Sequence, residues 1–238
     1  MPTALVTGGG IRIGRAIVLA LGRAGYDVVV HANRSVSEAE GVVRQLATLG
    51  RQGRVEQADL AAPDGPAHLA GRIERLDLLV NNAAAYEHAD FRTIVPAQLE
   101  RMLAVNVRAP FLLTQALLPL LEASGQGAVV NVTDMAVSRA YSPSHHFAHY
   151  LASKGALEQL TRALALELGP KVRVNAVAPG PVAIAAETTS EQRADMLARL
   201  PLGREGSPDD VGEAVVYLAK ACYVTGQTIR VCGGLSIA

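Results

Sequence analysis

Short apolar runs rich in β-branched residues recur along the chain, and between them apolar positions return every three or four residues. The runs predict strands over Ala4–Thr7, Asp27–His31, Arg54–Gln57, Leu76–Asn81, Ala128–Val132, Arg173–Ala178 and Thr228–Val231. The stretches RAIVLALGRAG, EAEGVVRQLATLG and ALEQLTRALALELG carry helical periodicity, and Gly25 and Gly50 stand where a helix C-terminus favours glycine. Strand–helix alternation from end to end predicts βαβ units in a doubly wound α/β fold, a seven-stranded parallel sheet with helices on both faces. No internal repeat, low-complexity tract or long linker breaks the pattern, so residues 1–238 are expected to form a single domain. Two irregular stretches, Arg139–His149 and Gly180–Ser190, each follow a strand. Ligands of open α/β sheets bind beyond the carboxyl ends of strands, which makes these loops the expected walls of a site.

Composition sharpens this picture. Half of the 238 residues are hydrophobic and only 4% are aromatic, with no Trp, so the core must be aliphatic, as suits a parallel sheet under helices. Lys+Arg and Asp+Glu balance at 22 each, which argues against bulk attraction to nucleic acid or an anionic membrane. Cys222 and Cys232 make neither a disulfide framework nor a metal motif. The chain opens on TALVT with no leader-like segment, and no apolar run reads as long enough to span a membrane. The expectation is a soluble cytoplasmic protein with no nucleic-acid or membrane partner.

The stretch VTGGGIRIGRAI follows the first strand and opens the first helix. Gly8, Gly9, Gly10 and Gly14 permit a tight turn and close approach by a pyrophosphate, which then faces the free N–H groups of the helix N-terminus. After the second strand, an NAD site would carry an acidic residue to hold the ribose hydroxyls. Here the chain reads HANRS: Arg34 and Ser35 are donors, and Arg12 in the glycine loop adds a second cation. Two arginines and a hydroxyl suit a 2′-phosphate, so NADPH is the expected cofactor. The plain alternative is that Arg34 only solvates a loop.

Further motifs follow in order: NNAA at Asn81–Ala84, Asn106 within LAVNVRAPFLL, YLASK at Tyr150–Lys154, NAVAPGPV at Asn175–Val182, and VTGQ before the last strand. Together they resemble the short-chain dehydrogenase/reductase family, and the resemblance implies a Rossmann-type fold and a homotetramer. Tyr150 and Lys154 stand at i and i+4, on one face of a helix. A free tyrosine has a pKa of about 10, and a nearby ammonium favours its phenolate, which prepares Tyr150 as general acid in reduction or base in oxidation. The resemblance further implies that Lys154 holds the nicotinamide ribose and that Asn106 keeps a water chain to Lys154. It implies that Asp59 touches the adenine and that Asn81 lines the ribose. Carried over position by position, the cofactor set is Gly8, Arg12, Ile13, Gly14, Asn33, Arg34, Ser35, Asp59, Leu60, Asn82, Ala83, Tyr150, Lys154, Pro179 and Gly180.

Two positions depart from the family pattern. The usual DGG near the C-terminus is CGG here, with Cys232 read as a core residue rather than a reactive one. The fifth strand ends in VNVTD, placing Asp134 where most of the family has a serine. An ionised carboxylate beside a core is costly unless something satisfies it. An aspartate there, Arg12 in the glycine loop, H-x-x-R-S after the second strand, and Tyr86 in NNAAAY all resemble the pteridine-reductase branch, which includes dihydromonapterin reductases. In that branch the aromatic residue stacks on the pterin ring. Pterins are reduced at ring C=N bonds, and a carboxylate relays the proton that nitrogen needs more readily than a hydroxyl does. The site residues are therefore Asp134, Tyr150, Lys154 and Asn106 for catalysis, and Tyr86, Asp134 and Tyr150 for substrate, with Asp134 read as an active-site member and not a structural cap.

Three alternatives remain open at this point. Ser138 lies nearer Tyr150 and could be an ordinary catalytic serine, which would make the chain a carbonyl reductase or alcohol dehydrogenase. A non-catalytic NADP-binding regulator could use the same fold, although an intact Tyr150–Lys154 pair argues against it. His145, His146 and His149 could suggest zinc, but they are read as a solvated or substrate-lining loop, with no metal.

Overall fold

The structure is a computed structural model and describes residues 1–138, 146–184 and 188–238. Seven strands form one sheet: β1 (Thr3–Val6), β2 (Asp27–Ala32), β3 (Gly53–Gln57), β4 (Leu78–Asn81), β5 (Ala128–Val132), β6 (Arg173–Pro179) and β7 (Thr228–Val231). Their order is β3-β2-β1-β4-β5-β6-β7, and every pairing is parallel. The chain winds outward from β1 in one direction and from β4 in the other, so the strand order reverses between these two neighbours.

The helices are α1 (Arg12–Arg23), α2 (Val36–Thr48), α3 (Gly65–Ala70), α4 (Pro96–Leu103), α5 (Ala109–Ala123), α6 (Ala148–Leu168), α7 (Ser190–Ala198) and α8 (Pro208–Lys220). Alternate strand residues feed two aliphatic cores. Ala4, Val6, Val28, Val30, Val80 and Val130 pack with Ile17 and Leu21 of α1, Leu46 of α2 and Val211, Val215 and Leu218 of α8. Leu5, Val29, Leu79 and Val129 pack on the other face with Leu69 of α3, Leu113, Leu117 and Leu121 of α5, and Ala165 of α6. Burial on both faces explains the apolar runs of the central strands, whereas the edge strands β3 and β7 carry polar residues. Full burial of one such side chain contributes about 1.5–3 kcal/mol.

Strand limits shift slightly from the sequence expectation, for local reasons. β1 ends at Val6 because the Thr7 hydroxyl turns to accept the backbone N–H groups of Asn82 and Ala83, each at 3.0 Å. β4 begins at Leu78 because the Asp77 carboxylate accepts from the Thr3 backbone N–H at 2.7 Å. Gly25 and Gly50 both adopt positive φ at helix ends, 101° and 70°.

One expectation is corrected. The run Pro96–Ala123 is helical throughout and, by length and a mean hydropathy of 1.3, is apolar enough to cross a membrane. Its apolar stripe of Leu113, Leu117 and Leu121 is buried with the sheet residues Leu79 and Val129, while Phe111 on the same helix is exposed. Between α4 and α5 the helix widens into a π-turn, Ala104–Arg108, with Asn106 fully buried at its centre. Cys232 is buried beside Met135 and Leu200, as a core residue.

Candidate active site

The site forms where the strand order reverses, beyond the carboxyl ends of β1, β4, β5 and β6. The glycine loop is held from three sides. The Gly8 N–H donates to His31 Nδ1 at 3.2 Å, the Gly9 N–H to the His31 carbonyl at 3.0 Å, and the Gly8 carbonyl accepts from Asn82 Nδ2 at 3.0 Å. Gly8 has φ +64°, and a Cβ on Gly14 would fall 2.0 Å from the Gly8 carbonyl oxygen, so loop and helix close to a distance only glycine allows. The N-cap residue of α1, Ile11, offers no side-chain cap, and the first turn has no acidic residue. The leading N–H groups and positive end of that helix are thus open to an anion, which fits a dinucleotide pyrophosphate.

Beyond β5, Asp134 accepts a hydrogen bond from the Tyr150 hydroxyl, Oη to Oδ2 3.0 Å. Its other oxygen, Oδ1, accepts from the Ala136 backbone N–H at 2.8 Å and caps a short 3₁₀ turn, Met135–Val137. Asp134 thus caps the turn with one oxygen and meets the Tyr150 hydroxyl with the other. Burial raises its pKa above the ordinary carboxylate value, against the Ala136 N–H, the Tyr150 hydroxyl and the Lys154 charge. Lys154 is 2% exposed and donates to the Val132 carbonyl at 2.7 Å. Burial lowers its pKa to about 8, with Asp134 opposing. Its Nζ lies 5.9 Å from the Tyr150 ring centroid.

Asn106 connects to this group from the π-turn. Its amide exchanges two hydrogen bonds with the Ala85 backbone and donates to Ser153 Oγ at 2.9 Å, and Ser153 donates to the Tyr150 carbonyl at 2.6 Å. A π-turn inside a helix is a rare geometry often found at functional sites.

Aromatic rings form the outer wall. Tyr86, 59% exposed, meets Tyr150 edge-on at 4.9 Å between centroids and Phe147 at 4.8 Å. His88 lies 4.0 Å from Phe147. Burial and the Asp134 charge raise the Tyr86 pKa, while Arg12 lowers it.

The remaining expected residues are distributed as follows. Arg34 is exposed beyond β2 and has no hydrogen-bond or ion-pair partner among the described residues, with Ser35 at the N-cap of α2 beside it. Asn33 donates to Asp59 at 3.1 Å, and Asp59 also accepts from the Ala61 N–H. Leu60 is buried in the second core. Ile13 packs on the first core, Ala83 anchors on Thr7, Pro179 ends β6, and Gly180 follows it with its N–H on the Val231 carbonyl.

Several expectations change. Arg12 does not stand with Arg34: its guanidinium donates to the Ala183 carbonyl at 3.0 Å, beyond β6. Arg12 also lies close enough to Tyr86 to lower its pKa. Asn81 turns inward, donating to Asn131 at 2.9 Å, which in turn donates to Thr161. Ser138 donates to the Met135 carbonyl and accepts from Arg230 Nε, and so is committed away from Tyr150. His146 lies near Asp90, His149 is buried in the first turn of α6, and His145 is outside the described residues. A groove of about 450 Å³ near Cys232 and Arg230 is lined by none of Asp134, Tyr150 or Lys154.

The family profile described as enoyl-(acyl carrier protein) reductase matches residues 10–236. The chain belongs to the short-chain dehydrogenase/reductase family. It is 39% identical over 244 residues to an uncharacterized oxidoreductase of Mycobacterium tuberculosis, covering 98% of this chain and 91% of that protein. Among solved structures, FolM alternative dihydrofolate reductase 1 from Brucella canis, complexed with NADP, matches with a TM-score of 0.90 at 34% identity, over 100% of this chain and 94% of that one. The angucycline C-6 ketoreductase LanV with bound NADP matches with a TM-score of 0.91 at 32% identity, over 100% and 96%. This short-chain protein is accordingly an NADP-dependent oxidoreductase with NADPH as its cofactor.

Three residues of the site escaped sequence reasoning. Phe147 carried a usable signal: the chain has only 6 Tyr and 3 Phe, and three of these nine rings meet at one place. Ser153 was visible inside YLASK, but its bond to Asn106 depends on the π-turn. His31 was visible only as part of a motif, and its span between Gly8 and Ala58 is a tertiary fact.

Proposed function

We propose that this reductase transfers hydride from NADPH to a ring C=N bond of a pteridine-type substrate, a dihydropterin or dihydrofolate-like compound. The observation that carries the reading is the Asp134 carboxylate on the Tyr150 hydroxyl, where the family usually has a serine. The cofactor, when bound, supplies the hydride that reaches ring carbon. Tyr150 gives its hydroxyl proton to the adjacent ring nitrogen, which completes the two-electron reduction. Asp134 returns a proton to Tyr150; burial raises its pKa and so brings its protonated form closer to neutral pH. After donating to Val132, the Lys154 ammonium has two further N–H groups for ribose hydroxyls. Asn106 acts on Tyr150 through Ser153 as a positioning residue. Tyr86 and Phe147 offer ring faces to a flat substrate. Arg34 and Ser35 read the 2′-phosphate, and Arg12 sits at the mouth facing the substrate side.

The likeness to the FolM reductase supports a pterin substrate, and the likeness to LanV supports a ketone as the second reading. NADPH oxidation with dihydropterins, dihydrofolate and simple ketones tests the two. Turnover of ketones with none of pterins overturns the pterin assignment. The reading includes a cytoplasmic homotetramer; Leu166 of α6 and Phe111 of α5, 85% and 44% exposed, are apolar surface that such an assembly would cover.

A further inference from the structure

We infer that His31 is a positioning residue for the cofactor: a neutral imidazole, protonated on Nε2, that holds the glycine loop ready for NADPH and lets go of it in acid. The inference rests on NADPH as cofactor and is independent of the substrate.

His31 is a polar residue that follows the aliphatic Val28–Val30 in β2, and it is 2% exposed. Its partners assign its tautomer. The Gly8 N–H can only donate, so Nδ1, 3.2 Å away, must accept. The Ala58 carbonyl can only accept, so Nε2, 3.1 Å away, must carry the proton. The ring thus bridges the turn after β1 and the turn after β3, and Ala58 immediately precedes Asp59. The His31 backbone adds a third hold, since its carbonyl accepts from the Gly9 N–H. One residue therefore fixes the first two glycines of the phosphate-facing loop and the start of the segment that ends in Asp59.

Protonation would put N–H against N–H at Gly8. The bond would be lost and a donor left without an acceptor, on the glycine whose carbonyl lies against Gly14. The charged groups around the ring are few. Asp59, after β3, favours the charged form. Glu56, in register with His31 on β3, is committed to Arg54 and Arg72. Arg12, in the glycine loop, is committed to Ala183. Burial is the largest influence and lowers the His31 pKa below 6.5, against the Ala58 carbonyl and Asp59. The neutral form therefore prevails at neutral pH. The organisation it supplies is complete above 6.5 and is lost as pH falls through the lower folded value.

The test is the NADP⁺ dissociation constant by calorimetry for the wild type, His31→Asn, His31→Gln and His31→Phe, from about pH 7.5 down to about 4.5, below the ordinary histidine range because burial lowers the folded value. Asn places an oxygen where Nδ1 stands, so it keeps the Gly8 bond and cannot be protonated. Gln reaches towards Ala58 and does not keep that bond. The expectation at neutral pH is affinity within about threefold of wild type for Asn and about tenfold weaker for Gln and Phe, the size of a lost hydrogen bond with its donor left buried. On acidification the wild type should weaken relative to Asn; taking this ratio removes the titration of the cofactor's own 2′-phosphate, whose second pKa is about 6. Turnover at saturating cofactor should be little changed while the cofactor KM rises, a split that a general folding defect would not give. ¹⁵N chemical shifts of the labelled ring read the tautomer directly, even should the Phe variant fail to fold. Nδ1 found protonated at neutral pH, Phe binding as tightly as wild type, or a wild-type to Asn ratio that is flat or tightens in acid would each overturn the inference.

Discussion

The Tyr150 hydroxyl and the Ala136 backbone N–H share one carboxylate, Asp134, at 3.0 and 2.8 Å on its two oxygens. The side chain that meets the phenol is thus held in place by the turn it caps. Asp134→Asn keeps one acceptor oxygen, which can stay on the Ala136 N–H, but turns an NH₂ donor to the Tyr150 hydroxyl and cannot exchange a proton. We expect kcat on a dihydropterin to fall at least about tenfold, within the range of general acid–base contributions, with thermal stability nearly unchanged. Asp134→Ala should in addition lose about 1 kcal/mol of cap stabilisation. Ser138→Ala should leave turnover close to wild type; if it abolished activity, the serine would hold the third catalytic place.

Tyr150→Phe keeps the ring contacts with Tyr86 and Phe147 and removes the transferable proton. The expected result is a loss of about a hundredfold or more in kcat with NADPH affinity within a few fold, measured by steady-state kinetics and cofactor titration.

Arg34 is exposed and free of partners among the described residues. A charge-assisted hydrogen bond to phosphate contributes about 1.5–3 kcal/mol. Arg34→Asp should weaken NADPH more than about tenfold while sparing NADH. Equal loss of both would show that another residue reads the 2′-phosphate, because Arg12 is turned to Ala183.

The depressed pKa of Lys154, about 8 against 10.5 in the unfolded chain, sets an alkaline limit. Below about 8 the ammonium is charged beside Tyr150 and Asp134; above it the charge is lost. The rate of reduction should decline as pH rises through that value, and the limb should be absent from the slower Lys154→Met variant. Stability moves in the opposite sense. The folded chain binds fewer protons than the unfolded chain between about 8 and 10.5, so the cost of burying the ammonium is full below that window and is relieved across it. Urea unfolding across this range, compared with Lys154→Met, reads the sign.

Gly14→Ala places a Cβ 2.0 Å from the Gly8 carbonyl oxygen. Overpacking of this kind costs about 1–3 kcal/mol. We expect a Tm lowered by several degrees and NADPH binding weakened about tenfold or more, because the displaced atom belongs to the loop that faces the phosphates.

The sheet was legible because its central strands are buried on both faces and are apolar over most of their length, as VVV at Val28–Val30 shows. Strand ends were less legible, because they depend on partners distant in sequence: Asp77 for Thr3, and Thr7 for Asn82. The Asp134, Tyr150 and Lys154 grouping could be expected from motif order, and the structure brings the three together. Its electrostatics could not, since the pKa of Asp134 depends on burial outweighing three opposing contacts. Arg12 was misjudged because sequence adjacency to the glycines says nothing of direction. Its backbone, at φ +50°, sends the guanidinium across the mouth towards Ala183. The run Pro96–Ala123 was misjudged for membrane length because a helix covering a wide aliphatic sheet has nearly the composition of one facing lipid.

The π-turn at Ala104–Arg108 also governs how this helix tolerates a change of length. A turn that takes up one more residue than its neighbours puts the surfaces of α4 and α5 out of phase by about 100°, the rotation of a single residue. Deleting one residue there would restore regular hydrogen bonding and would swing the Asn106 amide away from Ala85 and Ser153. A substitution that improves helix propensity leaves the phase alone; a shortening that improves regularity does not. In this segment the number of residues is as much a part of the site as the amide it presents.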